Sequence, residues 1–163
     1  MSVLGRLIRL SRNSHKAALG AVACIVLMAG AGCGSGGEIA DGTAVTVYAG
    51  APLCAGAKGE LARRGDMAGS VRVRLACLKD AQQGGRLNLA RTGANARRAT
   101  EDSTSVAYVV PPGREATFSR PILEEAQIAV ITSNSGAKAM ATILAALDSR
   151  GEMTPREAVE KAK

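Results

Sequence analysis

Apolar positions along this chain switch between a period of two and a period of about 3.6 several times. Ala44–Ala49 is dense in β-branched residues and stops at Gly50, so it reads as a strand. Leu53–Arg64 has helical spacing and stops at Gly65. In Ser70–Leu78, Val71, Val73 and Leu75 alternate with Arg72 and Arg74. That alternation predicts a strand with one wet face, as at a sheet edge. Asn88–Glu101 reads as a helix with Arg91, Arg97 and Arg98 on its polar side. Ser105–Val110 is a third strand, closed by Pro111-Pro112-Gly113. Glu115–Ala126 predicts a third helix that buries Phe118, Ile122, Leu123 and Ala126 on one face, with Pro121 forcing a late start or a kink.

A fourth strand is expected at Ile128–Thr132, then an apolar helix over Ala139–Leu147 with Met140, Ile143, Leu144 and Leu147 inward. Gly151 ends it. Thr154-Pro155-Arg156-Glu157 is a capping box with proline at the first helical position, and it opens a charged last helix. Strands alternating with helices predict the α/β class. The expected form is a single Rossmann-like, doubly wound lobe, with a roughly four-stranded parallel sheet flanked by helices. The length of 163 residues suits one domain. An apolar fraction of 47%, much of it Ala and Val, points to a core of small, closely packed side chains.

The beginning of the chain has a different character. Met1–Lys16 is basic and Ala17–Ala31 is apolar. The apolar run, about 15 residues, is short for a membrane span of roughly 20 and fits an export signal. Gly30-Ala31-Gly32-Cys33 resembles a bacterial lipobox, in which the cysteine becomes the lipidated first residue of the mature protein. Gly30 stands where such signals usually carry Leu. Gly34-Ser35-Gly36-Gly37 follows as a flexible tether. The expected organisation is therefore a signal peptide at 1–32, a lipidated Cys33 and tether at 33–43, and one lobe at 44–163. The product is expected on the outer face of the cell membrane, held by a lipid anchor, with plain secretion or a periplasmic location as the alternative.

That signal also explains the charge. The formal charge of +7 includes Arg6, Arg9, Arg12 and Lys16, and without them 17 basic residues face 14 acidic ones. The single histidine, His15, lies in the same segment. The lobe therefore lacks a Ser-His or Cys-His pair and a zinc site of the usual histidine kind. With three aromatic residues (Tyr48, Tyr108 and Phe118) it also lacks the stacking platforms of single-strand nucleic-acid binders. Neither an enzyme nor a nucleic-acid partner is expected, and no metal or cofactor. Gly50–Lys58 lacks the glycine and lysine spacing of a phosphate loop.

In open α/β sheets, ligands sit beyond the carboxyl ends of the strands. Ser133, Asn134 and Ser135 lie at one such end and offer small hydrogen-bonding groups, the alternative being a simple polar turn. Of the four cysteines, Cys24 is in the signal and Cys33 is the lipidation position, which leaves Cys54 and Cys77. Both fall near the carboxyl ends of the first two strands, and export makes a disulfide the expected state. Two buried free thiols are the alternative.

Several segments resemble a family in order. They are Val45-Thr-Val-Tyr after the tether, Gly93-Ala-Asn-Ala-Arg-Arg-Ala-Thr-Glu-Asp102 before Val106-Ala-Tyr-Val, and Ser119-Arg-Pro-Ile-Leu-Glu-Glu-Ala126 before Ile128-Ala-Val-Ile-Thr-Ser133. Together they resemble the first lobe of branched-chain amino-acid (Leu/Ile/Val) type periplasmic substrate-binding proteins of ABC transporters. The resemblance covers roughly Thr43 to Gly136 and implies a type I periplasmic binding fold, of which this chain has room for one lobe. It also implies a disulfide like Cys54–Cys77, and ligand contacts after the third and fourth strands. Where the family often has Ser or Thr after the third strand, this chain has Pro112-Gly113-Arg114-Glu115, which leaves Arg114 to meet an anion.

Two functions follow. One is a membrane-anchored, solute-binding-like lipoprotein that holds a small amino acid or carboxylate at the strand ends and works with an ABC transporter permease. A homodimer would supply its second wall. The other is a single-lobe envelope interaction module, or a truncated remnant, without ligand binding.

Overall fold

The computed structural model describes residues 42–163. The expected signal peptide, Cys33 and most of the expected tether lie outside the described residues. The lobe is built from seven strands and five helices among those residues: β1 (Val45–Ala49), α1 (Ala51–Arg63), β2 (Met67–Ala68), β3 (Val71–Cys77), β4 (Gln82–Gln83), β5 (Arg86–Leu87), α2 (Leu89–Thr100), β6 (Ser105–Val110), α3 (Arg114–Glu125), β7 (Ala129–Thr132), α4 (Gly136–Asp148) and α5 (Pro155–Lys161).

Five strands form the main sheet in the order β2-β3-β1-β6-β7. β3, β1, β6 and β7 run parallel, as the strand–helix alternation predicts. The expected four-stranded sheet is thus corrected to five. The addition is β2, which pairs antiparallel with β3 through Met67↔Arg72 and Ala68↔Val71. Two residues are too few to display a period, so β2 is invisible to pattern reading. It covers the start of β3, whose Val71 and Val73 are buried while Arg72 and Arg74 are exposed.

Helices cover both faces. On one, α1, α4 and α5 bury Leu53, Ala57, Leu61, Met140, Ile143, Leu144, Leu147 and Val159 against Val45, Val47 and Val109. On the other, α2 and α3 bury Ala96, Ala99, Ala116 and Leu123 against Tyr48, Tyr108 and Val110. Odd and even residues of β1 thus go to opposite cores, the two-residue period of a strand buried on both sides. Along β6 the register slips by one residue: Thr46 faces Ser105 but Val47 faces Ala107. Val106 is the extra residue, and it shares a core with Ala107.

Two expectations about α3 are corrected in part: it has no late start, and Phe118 is not in its buried face. The helix runs unbroken from Arg114 to Glu125 with Pro121 inside it. Pro121 is exposed, so the missing amide leaves only a solvent-side carbonyl without its usual donor. Glu115, Ala116, Ser119 and Leu123 are buried, with Ala126 buried at the cap and Ile122 packed against the core, so of the expected face only Phe118 lies outside it. Phe118 is 40% exposed and lies over the backbone of Gly93 on α2. Helical spacing marks which residues share a face, but Gly93 offers the ring a flat surface that no periodicity reveals.

Polar groups fix the amino end of the sheet. The Thr104 amide and hydroxyl donate to Asp102 (2.9 and 2.6 Å), and the Tyr48 hydroxyl donates to the same carboxylate at 3.1 Å. Burial pushes the Asp102 carboxyl up, but these hydrogen bonds outweigh it and hold it below the ordinary aspartate range. Arg156 of α5 donates to the carbonyls of Ser105 and Ser103, each at 3.0 Å, which ties the last helix to the start of β6. The capping box is formed: the Thr154 hydroxyl accepts from Glu157 N, and Glu157 accepts from Thr154 N at 2.8 Å.

Candidate functional site

The order β3-β1-β6 places the reversal of strand order between β1 and β6. In open α/β sheets that reversal opens a crevice at the carboxyl ends. Here Pro111 lies over Gly50 in it, and the Gly50 amide donates to the Val109 carbonyl at 2.9 Å. Gly50–Lys58 forms the cap and body of α1, with proline in its first turn. It presents no open loop of amides.

A cavity at this end of the lobe lies beside the crevice and has a volume of about 490 Å³. One wall is Pro111, Pro112, Arg114 and Glu115, from the loop after β6 and the first turn of α3. The other is the β4–β5 hairpin, with Gln82, Arg86 and Leu87. Strand–helix alternation does not anticipate this hairpin. A local signal for it exists, because Gly84-Gly85 between Gln83 and Arg86 suits a two-residue turn. Both glycines have positive φ, 55° and 76°. The hairpin is held in place from three sides. Asp80 Oδ1 accepts from Gln82 N at 2.8 Å, Asn88 N donates to the Ala81 carbonyl at 2.8 Å, and Asn88 Nδ2 donates to Gln83 Oε1 at 3.0 Å. Asn95 of α2, itself buried, donates to the Lys79 carbonyl at 2.9 Å.

Glu115 gives the cavity its character. It is 9% exposed, and burial, followed by the nearby Asp80 charge, raises its carboxyl above the ordinary glutamate range. The Tyr108 hydroxyl is buried without a hydrogen-bond partner among the described residues. Burial, with the Glu115 charge adding to it, pushes that phenol well up. An acid whose folded pKa is raised leaves the fold most stable below the unfolded value, and stability falls as pH rises through the folded value. Glu115→Gln is therefore expected to melt above the parent at neutral pH. The difference should vanish below the ordinary glutamate pKa, which paired thermal melts across pH would read.

The site residues expected from sequence are not brought together. Arg114 lines the hairpin cavity. Ser133, Asn134 and Ser135 line a separate groove along β7. There the Ser133 hydroxyl donates to the Ser135 carbonyl at 2.9 Å and accepts from Ser135 N at 3.1 Å. Ser135 Oγ accepts from Lys138 N at 3.3 Å and caps α4. Both hydroxyls thus serve a turn and a helix start. Gln82, Arg86 and Glu115 are the cavity residues that sequence reasoning missed.

Cys54 and Cys77 stand at disulfide distance, with Cα atoms 5.6 Å apart. Among the described residues no helix is long and apolar enough to cross a membrane, and no group of three or more potential metal ligands is found. No protein-family model, curated protein or solved structure matches the chain.

Proposed function

We propose that this protein is a single-lobe, solute-binding-like protein, lipid-anchored at Cys33 on the outer face of the cell membrane, that holds a small amino acid or carboxylate between the β4–β5 hairpin and the start of α3. The observation that carries this reading is a cavity at the carboxyl ends of the strands with Arg86 and Arg114 beside the buried Glu115. Guanidinium groups pair with a carboxylate in fork geometry. The Glu115 carboxylate complements an ammonium group. Two cations and one acid in a space of this size suit a zwitterion better than a plain anion. The likeness to the first lobe of amino-acid-binding proteins of ABC transporters supports the same ligand class, and a permease as the partner. In this reading Arg114 stays among the expected contacts, and Arg86 and Glu115 take the place of Ser133–Ser135.

Binding of an ammonium group favours ionised Glu115. Affinity for amino acids should therefore rise with pH through the raised Glu115 pKa, whereas affinity for a simple carboxylate should not rise there. The test is a thermal melt of the full chain against amino acids and small carboxylates. A ligand at one hundred times its dissociation constant adds about 2.7 kcal/mol, which moves the midpoint by several degrees. The shift should disappear in Arg114→Ala. A cooperative melt that none of these solutes moves would overturn this reading and leave the envelope interaction module.

A further inference from the structure

Three residues that line the hairpin cavity carry charge: Arg86 from β5, and Arg114 and Glu115 from the first turn of α3. None of the three has an ion-pair partner among the described residues. Arg86 and Arg114 are exposed, and Glu115 is buried. The charged residues next to the hairpin, Lys79 and Asp80, have opposite signs, and Asp80 Oδ1 accepts from Gln82 N at 2.8 Å. The cavity therefore presents two cations and one acid, and the chain itself supplies no counter-charge to any of them.

A neutral amino acid brings one carboxylate and one ammonium group. It would match Glu115 and one arginine and leave the other guanidinium unused. An amino acid with a second carboxylate matches all three groups. The placement of the charges agrees with that chemistry. The ammonium and α-carboxylate of an amino acid share one carbon, and Glu115 and Arg114 are chain neighbours on one wall. Arg86 belongs to the other wall, together with Gln82. Leu87, Pro111 and Pro112 add apolar surface for the methylene groups between the two ends. The volume of about 490 Å³ lies within the range of small-molecule sites.

We propose that the cavity selects an acidic amino acid, aspartate or glutamate: Glu115 and Arg114 hold its ammonium and α-carboxylate groups, and Arg86 binds its side-chain carboxylate. The inference rests on the amino-acid reading above and narrows its ligand class. It makes Arg86 the residue that sets specificity. Arg86 is exposed, so its guanidinium stays hydrated when a neutral ligand is bound. The preference therefore comes from the pair gained with the second carboxylate, not from a penalty on neutral ligands. For a pair that remains partly hydrated, a preference of about fivefold to tenfold is expected.

The experiment is calorimetric titration of the full chain with two sets of near-isosteres: glutamate, glutamine and glutarate, and aspartate, asparagine and succinate. Each amide differs from its acid by one carboxylate, and each plain dicarboxylate lacks the ammonium group. Glutamate or aspartate should bind more tightly than its amide by the factor above, and more tightly than its plain dicarboxylate. In Arg86→Gln the acid should lose its advantage over the amide. This variant should melt with the parent, because the side chain it replaces is exposed. Glutamine or asparagine binding as tightly as its acid would overturn the inference and leave the amino-acid reading standing. A plain dicarboxylate binding more tightly than its amino acid would overturn it by removing the role of Glu115. A preference for the acid that survives in Arg86→Gln would overturn the assignment of Arg86. Binding of none of the six would overturn the amino-acid reading together with the inference that rests on it.

Discussion

Replacing Gly136 by alanine is expected to destabilise the lobe by about 3 kcal/mol, at the upper end of the cost of overpacking. Gly136 opens α4 at the point where that helix crosses α1. A Cβ there would overlap the Leu53 carbonyl oxygen, and it would stand 2.8 Å from the Leu53 carbonyl carbon and 2.9 Å from Ala57 N. These are backbone atoms of a helix, so no side-chain rotation relieves the contact. The helices would have to separate, and Leu53, Ala57, Met140 and Ile143 would lose contacts in the larger core. For a domain of this size the melting midpoint should fall by about 10 °C. Gly59 is the control, because it lies on α1 with nothing within 4 Å of its would-be Cβ. Gly59→Ala should raise stability by about 0.5–1 kcal/mol through helix propensity alone. Thermal melts of the two variants should move in opposite directions.

The second large effect is expected at Cys54 and Cys77. Their bond would close a loop with a sequence separation of 23 residues, worth roughly 3 kcal/mol on the chain-entropy model. It joins the first turn of α1 to the end of β3, beside the strand ends that carry the cavity. Cys54→Ser/Cys77→Ser should therefore lower the denaturation midpoint, and the slope of the transition should rise as the unfolded chain, freed of its cross-link, exposes more surface. Cys77 is exposed and Cys54 is buried, so part of the cost will come from placing a serine hydroxyl in the buried site of Cys54. Cys54→Ala/Cys77→Ala removes that part. Urea unfolding of both double variants separates the loop-closure effect from the burial effect. Equal stability of the alanine variant and the parent would mean that the thiols are free in the protein.

The two effects differ in how far they could be foreseen. The cysteine pair is legible because cysteines are few and the first two strands are expected side by side. The role of Gly136 is not, since a glycine at a helix start reads as a turn residue until a second helix is seen crossing it. The cavity follows the same division. Arg114 can be placed at a strand end from its sequence position. Arg86 and Glu115 cannot, because one depends on a short hairpin folding back over the sheet and the other on the rotation of α3.

The sequence by itself determined the α/β class, the four parallel strands and their helices, the capping box at Thr154 and the placing of Cys54 and Cys77 near the ends of neighbouring strands. Those features rest on local periods, on caps and on composition, which act within a few residues. Tertiary structure alone decided the antiparallel β2 edge, the exposure of Phe118 over Gly93, and the separation of Arg114 from Ser133–Ser135. Each of these depends on which surfaces meet across the sheet. That choice is made by packing between segments distant in the chain, and no local pattern records it.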